Sequence, residues 1–333
     1  MNTDIASLSA EVAERYTRAV VTGGAGFIGS HVVEALLDTR MEVVCVDDLS
    51  AGKQEYVDLF AGRTNFSFRQ VDVSDAVALR GAMQGADIVF HNAASKKNIC
   101  LVDPRRDLAV NGEGAFNVFS LAVELGVKKV VHASTGSVYG EPSVFPQTED
   151  HPLDPVSYYG VSKLAGERYG MAIHKLDGLD VTILRYFHVY GPRQEWDDQF
   201  GGVVAIFLRR ALNGKNLVVH GDGGQQRSFT NVRDVVRANL LTAIRPEATG
   251  QAYNCASGIK VTIQELAEYV IGNVEGCGDV QIEYGDPLIG DIRVFDVSSA
   301  KLQALGLDFE RDLWKGLGPT VEWIADKVRA EKR

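Results

Sequence analysis

The segment Arg18–Gly29 reads RAVVTGGAGFIG, and it decides the fold that we expect for this chain. A short apolar run, Ala19–Thr22, leads directly into a glycine-rich turn, and the helical pattern His31–Thr39 follows. A strand that turns through glycine into a helix is the opening unit of a doubly wound α/β sheet. We therefore predict a parallel sheet whose first strand is this segment.

The glycines of this turn have separate tasks in such a unit. Gly23 permits the tight turn, Gly26 lets the backbone approach a pyrophosphate closely, and Gly29 allows the helix to pack against the strand. The N-terminus of the helix offers unpaired N–H groups and the positive end of its dipole to phosphates. An ordinary strand–helix turn is the alternative. The position immediately after the first strand favours a dinucleotide-binding site.

The ends of the next strands supply residues for the rest of a dinucleotide. Asp47 ends the second strand, 24 residues after the first glycine, where its carboxylate can accept hydrogen bonds from ribose hydroxyls. Asp47 and Asp48 would repel a 2′-phosphate and no arginine follows directly, so we expect NAD rather than NADP. Asp72 and Val73 suit the adenine edge, although a strand-end cap explains Asp72 equally well. Residues 91–94 (HNAA) end the fourth strand, and the small residues among them let the backbone approach the cofactor.

Short apolar runs alternate with longer helical stretches throughout the first half of the chain. The further strand candidates are Glu42–Val46, Phe66–Val71, Asp87–His91, Lys128–Ala133 and Val181–Leu184. This alternation predicts an α/β fold with a Rossmann-type doubly wound parallel sheet.

The pattern becomes looser after Arg185, with aromatic and glycine-rich loops between helices. These helices are expected near Val203–Leu212, Val232–Ile244 and Thr262–Gly272. We therefore predict three parts: an N-terminal helical extension (1–17), an NAD-binding domain (18–185) and a smaller substrate-binding lobe (186–333). Within the last part, 251–255 is expected to return to the large sheet.

Composition limits the possible functions. The chain has 333 residues, enough for two packed lobes, and its formal net charge is −10. This acidic balance disfavours binding to nucleic acid or to an anionic membrane. The four cysteines are widely spaced, no metal-binding spacing occurs, and no signal peptide or membrane-spanning stretch is recognisable. We expect a cytoplasmic protein without a metal site.

Tyr159 and Lys163 are four residues apart within Ser157–Arg168, which we predict to be helical, so their side chains share one face. Ser134 and Thr135 end the preceding strand, at the sheet edge where open α/β folds bind ligands. A phenol is a poor base at neutral pH, but a neighbouring ammonium and a positively charged nicotinamide favour its phenolate. We therefore predict that Tyr159 accepts a proton from a substrate hydroxyl positioned by Thr135, and that Lys163 also binds the nicotinamide ribose. A surface contact is the alternative for the pair.

Several longer motifs accompany these residues between Val20 and about Lys301. They are GGAGFIG, Asp72-Val73, HNAAS, Asn111, STGSVYG, YYGVSK, RYFHVYGPRQ and HGDGGQQRSFTNVRDVV. As a set they resemble the extended short-chain dehydrogenase/reductases, and most closely the UDP-glucose 4-epimerase group. The resemblance implies NAD-dependent epimerisation of a nucleotide-activated hexose, a UDP-sugar, at C4 through a transient 4-keto intermediate. It also implies a homodimer that pairs the helices Pro104–Leu125 and Val156–Lys175.

The same resemblance assigns roles to individual residues. Catalysis is expected from Thr135, Tyr159 and Lys163. Cofactor contacts are expected from Gly23, Gly26, Phe27, Ile28, Gly29, Asp47, Asp48, Ser50, Gly52, Asp72, Val73, Ala93, Ala94, Ser95, Lys96, Asn111, Tyr159, Lys163, Tyr186 and His188. Substrate contacts are expected from Thr135, Gly136, Ser137, Tyr159, His188, Val203, His220, Arg227, Asp291 and Arg293.

Two of the substrate residues have a physical rationale of their own. Arg227, in a glycine-rich loop, suits a forked contact to a diphosphate, with a structural ion pair as the alternative. His220 ends an apolar strand, where its ring could stack on uracil or be a partly buried strand-end histidine.

The chain departs from the family pattern at two positions, which leaves the hexose open. His188 stands where the family usually has Asn after Tyr-Phe, and the arginine often found before Gly-Asp is absent, so that Arg293 could replace it. The hexose is therefore glucose or galactose, an N-acetylated form, or a uronic acid. A basic cluster would suit a uronic acid, but a solvated basic face is favoured; its members are Lys96, Lys97, Arg105 and Arg106.

The residues after Thr135 favour epimerisation over dehydration. The 4,6-dehydratases that this chain otherwise resembles have an Asp-Glu pair at these positions as acid and base, and this chain has Gly136 and Ser137. We also expect Gly136 to leave room for the keto sugar to turn over. A dehydratase and a UDP-uronic acid 4-epimerase remain alternatives. A non-catalytic NAD-binding regulator is disfavoured by the intact Thr135, Tyr159 and Lys163 set.

Overall fold

The chain folds into a large sheet with flanking helices and a smaller lobe built on the second half of the sequence. The computed structural model describes residues 4–95, 102–197, 201–275, 277–287 and 293–332. The strands are β1 (Arg18–Thr22), β2 (Glu42–Asp47), β3 (Phe66–Gln70), β4 (Ile88–His91), β5 (Lys129–Thr135), β6 (Asp180–Tyr186), β7 (Val189–Tyr190), β8 (Leu217–His220), β9 (Gln226–Arg227), β10 (Thr230–Asn231), β11 (Gln251–Cys255), β12 (Val261–Thr262) and β13 (Ile282–Gly285).

The helices alternate with these strands. They are α1 (Ile5–Arg15), α2 (Phe27–Leu37), α3 (Gln54–Asp58), α4 (Ala76–Met83), α5 (Pro104–Leu108), α6 (Ala115–Glu124), α7 (Tyr158–Asp177), α8 (Val203–Leu212), α9 (Val232–Ile244), α10 (Ile263–Asn273), α11 (Ala300–Ala304) and α12 (Leu313–Glu331).

Within the described residues, seven strands form one parallel sheet in the order β11-β6-β5-β4-β1-β2-β3. The strand order reverses between β1 and β4: β2 and β3 follow on one side of β1, and β4, β5 and β6 follow on the other. The crevice at the carboxyl ends of β1 and β4 is therefore the expected ligand site. This arrangement confirms the predicted doubly wound α/β fold. The edge strand β11, at 251–255, comes from the second half of the chain and pairs with β6.

Two of the strands are longer than their apolar runs predicted. β5 and β6 extend through the polar residues Ser134, Thr135 and Arg185, with Thr135 opposite Tyr186. The polar side chains are tolerated because Ser134 and Arg185 both bond the buried carboxylate of Glu167. The extra residues bring Thr135 and Tyr186 to the same edge of the sheet.

The predicted helix 104–125 is interrupted. It consists of α5, a π-helical turn at Ala109–Gly114, and α6. π-Helical turns are frequently found at functional sites. Here the turn carries Asn111, one of the residues expected near the cofactor.

The N-terminal helix α1 packs on α9 and α2. Leu8 and Val12 are fully buried, and the hydroxyl of Tyr16, which follows the helix, donates a hydrogen bond to the carbonyl of Ala243 at 3.0 Å. The smaller lobe has a separate core formed by α8, α10 and α12. Among the described residues, no helix is both long and apolar enough to cross a membrane.

Candidate active site

A cavity of about 620 Å³ opens at the carboxyl ends of β1 to β6. It gathers most of the residues expected to contact the cofactor. Those that line it are Gly23, Gly26, Phe27, Ile28, Gly29, Asp47, Asp48, Ser50, Gly52, Asp72, Val73, Ala93, Ala94, Ser95, Tyr159, Lys163 and Tyr186. Asn111 is not among the lining residues, but its Oδ1 accepts the backbone N–H of Ser95, which is, at 2.9 Å. Lys96 lies outside the described residues, as does Asp291 of the substrate set.

The glycine turn leaves no space for side chains. Gly23 has φ +66°, and a Cβ there would lie 2.6 Å from the backbone nitrogen of Ala93. A Cβ on Gly29 would lie 2.1 Å from the carbonyl oxygen of Gly23. Gly26 is the N-cap of α2 and makes no side-chain cap, so the first N–H groups of the helix are not engaged by a capping side chain. This cradle fits the phosphates of a dinucleotide.

Asp47 ties the glycine turn to the end of β2. Its carboxylate accepts the N–H groups of Ala25 at 3.0 Å and Leu49 at 2.9 Å. Burial raises the pKa of Asp47, although these two hydrogen bonds counteract part of the shift. A carboxylate with two backbone donors and free lone pairs can still accept from a ribose.

Arg106 lines the cavity, contrary to expectation. It was expected on a solvated basic face, but its guanidinium donates to Asp72 at 2.6 Å and to Asp48 at 2.8 Å and lines the cavity. The prediction was wrong because the bonded carboxylates lie 34 and 58 residues away, so no local pattern reveals them. Asp72 also accepts from the N–H and hydroxyl of Ser74. Burial alone would raise the pKa of Asp72, but the bonds from Ser74 and Arg106 lower it overall.

Lys163 is buried at the floor of the cavity, and Tyr159 lines the same cavity one helical turn away. The ammonium donates to the carbonyl of Ala133 at 2.5 Å. Burial lowers the pKa of Lys163 to about 8, and the carboxylates of Glu167 and Asp107 counteract part of that shift. The lysine is therefore a partly protonated group at mildly alkaline pH.

Asp107 forms one of two buried polar clusters beside Lys163. It is 1% exposed; it accepts the hydroxyl of Ser162 at 2.5 Å and the amide of Asn111 at 3.0 Å. Burial raises the pKa of Asp107, while the bond from Ser162 and the charge of Lys163 oppose the shift. This cluster joins the π-helical turn to α7.

Glu167 forms the second cluster, one turn beyond Lys163 on the same helix. Its carboxylate pairs with Arg185 at 3.0 and 2.8 Å and accepts the hydroxyl of Ser134 at 2.5 Å. Arg185 also donates to the hydroxyl of Tyr139 at 2.7 Å. Because the carboxylate joins α7 to β5 and β6, it fixes α7 against the strands that end at Thr135 and Tyr186.

Two buried histidines, His91 and His132, lie close enough to Lys163 to feel its charge. The rings of His91 and His132 are 5.0 Å apart, and burial followed by the charge of Lys163 lowers the pKa of both. Both rings are therefore neutral at physiological pH and add no positive charge beside the lysine.

Gly136 does not leave open space, which corrects our expectation. A Cβ at this position would lie 2.2 Å from the ring of Phe187. The space left by the missing side chain is filled by a buried aromatic ring, not by room for a substrate to turn over. Thr135 accepts the N–H of Ser137 at 3.2 Å and contacts its hydroxyl at 3.3 Å, which holds the tight turn after β5.

In the smaller lobe, Arg227 and His188 meet on one aromatic ring. The guanidinium of Arg227 lies 5.1 Å from the centroid of Phe295, and the ring of His188 packs edge-on against Phe295 at 4.5 Å. His188 has φ +38°, a backbone conformation that asparagine adopts more readily than most residues.

The remaining substrate candidates are dispersed. Arg293 lies on the surface and pairs with Asp222 at 2.8 Å. His220 bonds the carbonyl of Asp286 at 3.0 Å, and Val203 is the first residue of α8.

These features define a class: a dinucleotide-dependent enzyme with a Tyr–Lys pair in a Rossmann-type crevice. Residues 19–256 match the NAD dependent epimerase/dehydratase family. The UDP-glucose 4-epimerase of Mycolicibacterium smegmatis is 37% identical over 93% of this chain and 99% of its own length. The UDP-N-acetylglucosamine 4-epimerase structure from Methanobrevibacter ruminantium is 33% identical, with a TM-score of 0.88 over 93% of this chain and 99% of that one. The Thermus thermophilus UDP-glucose 4-epimerase in complex with NAD is 34% identical, with a TM-score of 0.82 over 92% and 98%.

The chain belongs to the NAD dependent epimerase/dehydratase family. Its cofactor is NAD, and the glycine cradle and the uncapped N-terminus of α2 fit this dinucleotide.

Proposed function

We propose that the protein is a UDP-sugar 4-epimerase that interconverts two hexoses through a transient 4-keto sugar. The observation that carries the proposal is the placement of Tyr159 and buried Lys163 on one cavity, with Thr135 at the end of the adjacent strand. When bound, NAD would accept a hydride from C4 of the sugar and, after the keto sugar has turned over, return it to the other face of C4. Residues Gly23–Gly29 and Asp47 would hold this cofactor.

The proton at the reacting hydroxyl is handled by the chain itself. The phenol oxygen of Tyr159 takes the proton of the C4 hydroxyl during oxidation and returns it during reduction. The ammonium of Lys163, held by the carbonyl of Ala133, stabilises the phenolate electrostatically. The Thr135 hydroxyl positions the sugar oxygen.

The carboxylates around the cavity support epimerisation over dehydration. Elimination of water needs an acid and a base near C5 and C6. Among the described residues, the carboxylates that line the cavity are already engaged: Asp47 by backbone N–H groups, Asp48 and Asp72 by Arg106, and Glu195 by Lys53. At Gly136 the ring of Phe187 occupies the volume that a carboxylate side chain would need.

Arg227 supports a nucleotide diphosphate as the activating group. A guanidinium steadied on the ring of Phe295 and mostly buried suits a forked contact with phosphate oxygens. We propose that His188, which packs against the same ring, also contacts the substrate.

We also propose a homodimer, formed by α6 and α7. Both helices expose apolar and aromatic side chains, and the rings of Phe116 and Tyr169 pack together at 5.2 Å on this face. Exposed Val161 continues the same surface along α7. Contiguous apolar surface of this kind is typical of an interface.

The buried free thiols of Cys45, Cys255 and Cys277 suit a reducing compartment, and we propose the cytoplasm.

The reaction is tested by incubating the purified protein with a panel of UDP- and dTDP-sugars and separating the products. We expect a pair of epimers of equal mass at equilibrium. Loss of one water with accumulation of a 4-keto-6-deoxy sugar would show a dehydratase instead. The sugar accepted from the panel would also identify the hexose.

A further inference from the structure

Arg106 connects three separate segments at one end of the cofactor cavity. It lies on the short helix α5, whose start is fixed by the side chain of Asp103. Its guanidinium bonds Asp48, which follows β2, with one nitrogen and Asp72, which follows β3, with the other. Both carboxylates come from the strand ends that, in a fold of this kind, receive the adenosine half of the dinucleotide.

The charge at this end of the cavity requires a cation. Asp47, Asp48 and Asp72 all line the cavity, and a dinucleotide brings two further negative charges in its phosphates. Without Arg106, three carboxylates would face an anionic ligand across a partly buried space, where charges interact more strongly than in water. Arg106 pairs with two of them, so that its single positive charge offsets one of their two negative charges, and Asp47 keeps its backbone donors.

The shape of the guanidinium adds a second property. Its two terminal nitrogens each donate to a carboxylate from a different segment, which fixes the plane of the group and leaves its flat face as the part on which a ring could stack. The side chains of Val71, Val73 and Val110 line the same cavity and supply apolar surface. A planar cation beside an apolar wall suits a planar aromatic base, which stacks on guanidinium and not on ammonium.

We infer that Arg106 is an NAD-binding residue that contacts the adenine base with its guanidinium face while it fixes Asp48 and Asp72. The inference rests on NAD binding alone and not on the epimerase reaction. It assigns a role to a residue that neither the glycine turn nor the Tyr–Lys pair involves.

The test measures how fast bound NAD leaves the purified holoenzyme. Three variants are compared with the wild type: Arg106→Met, Arg106→Lys, and Arg105→Met as the matched control. Arg105 is the neighbouring arginine on the same short helix, and it is exposed. Bound NAD is exchanged against an excess of radiolabelled NAD, and circular dichroism checks that each variant is folded.

We expect Arg106→Met to exchange NAD about tenfold faster, the size of a lost cation–aromatic contact in a partly desolvated site. Arg106→Lys should exchange nearly as fast as Arg106→Met, because an ammonium keeps the charge but has no flat face. Arg105→Met should behave as the wild type. Unchanged exchange in Arg106→Met would overturn the inference. Wild-type exchange in Arg106→Lys would also overturn it, since charge neutralisation would then be the whole role of Arg106.

Discussion

The carboxylate of Asp107 accepts a hydrogen bond at 2.5 Å from the hydroxyl of Ser162, the residue directly before Lys163. Asp107 therefore reaches α7 through the neighbour of Lys163 and also stabilises the lysine ammonium through its charge. The carboxylate on α5 is in this way part of the electrostatic environment of Lys163, although it does not line the cavity.

The first prediction concerns this carboxylate and the pH dependence of turnover. Charged Lys163 supports the Tyr159 phenolate, so turnover should fall as pH rises through the Lys163 pKa of about 8. In Asp107→Asn the ammonium loses a negative partner and its pKa falls further. The decrease in turnover on the alkaline side should therefore begin at lower pH. The measurement is the pH profile of kcat, with Glu113→Gln as control because Glu113 is exposed on the adjoining π-helical turn. If kcat of Asp107→Asn falls at the same alkaline pH as kcat of the wild type, Asp107 has only a packing role.

The second prediction concerns the proton acceptor. Tyr159→Phe removes the phenol oxygen with little loss of packing, so turnover should fall at least about a hundredfold while NAD stays bound. Tyr158→Phe is the matched control, since Tyr158 precedes it on α7 and is exposed. Turnover and bound NAD are measured on the same preparations. Near wild-type turnover in Tyr159→Phe would exclude Tyr159 as the proton acceptor.

The third prediction concerns Asp47, whose carboxylate binds two backbone N–H groups. Asp47→Ala leaves the donors of Ala25 and Leu49 without this acceptor, which should lower the free energy of unfolding by about 1–3 kcal/mol and weaken NAD binding. Denaturant titration and NAD retention measure the two effects. Asp58→Ala, an exposed site on α3, should change neither. Full NAD retention in Asp47→Ala would contradict its assignment to the cofactor site.

The fourth prediction concerns Gly136. A methyl group there would overlap the ring of Phe187, so Gly136→Ala should destabilise the fold by about 1–3 kcal/mol. The double variant Gly136→Ala/Phe187→Leu should recover part of the loss. Gly81→Ala is the control, because a Cβ at this helical position meets nothing within 4 Å. The comparison uses denaturant unfolding; equal stability of Gly136→Ala and wild type would show that the ring can move away.

The fifth prediction concerns the proposed dimer. Phe116→Glu places a charge on the exposed face of α6 and should convert the dimer into a monomer. Val77→Glu, at an exposed apolar position on α4, should leave the dimer intact. Sedimentation equilibrium distinguishes the two states. If the wild type is a monomer, the proposed dimer does not form. If the dimer tolerates Phe116→Glu, its interface lies elsewhere.

The parts of the site that depend on local spacing were predictable from the sequence. The glycine turn and the Tyr159–Lys163 pair are each defined within a few residues, and the regular sheet then brings them to one edge. The parts that depend on distant contacts were not. Arg106 and Asp107 are neighbours in the sequence, yet one side chain reaches Asp48 and Asp72 and the other reaches Ser162 on α7. The extension of β6 through Arg185 was missed because its buried partner, Glu167, lies on a helix.

The pairing of β11 with β6 has a consequence for any attempt to divide the chain. A fragment that ends near residue 185 would leave β6 as an outer strand, with a row of unsatisfied backbone groups that pair with β11 in the whole chain. Such an edge is a template for joining another molecule, so the fragment should polymerise or precipitate. The nucleotide-binding half of this protein is in that sense not a separable module: its outermost strand is made about 65 residues after β6 ends, which also means that the sheet is completed late in synthesis.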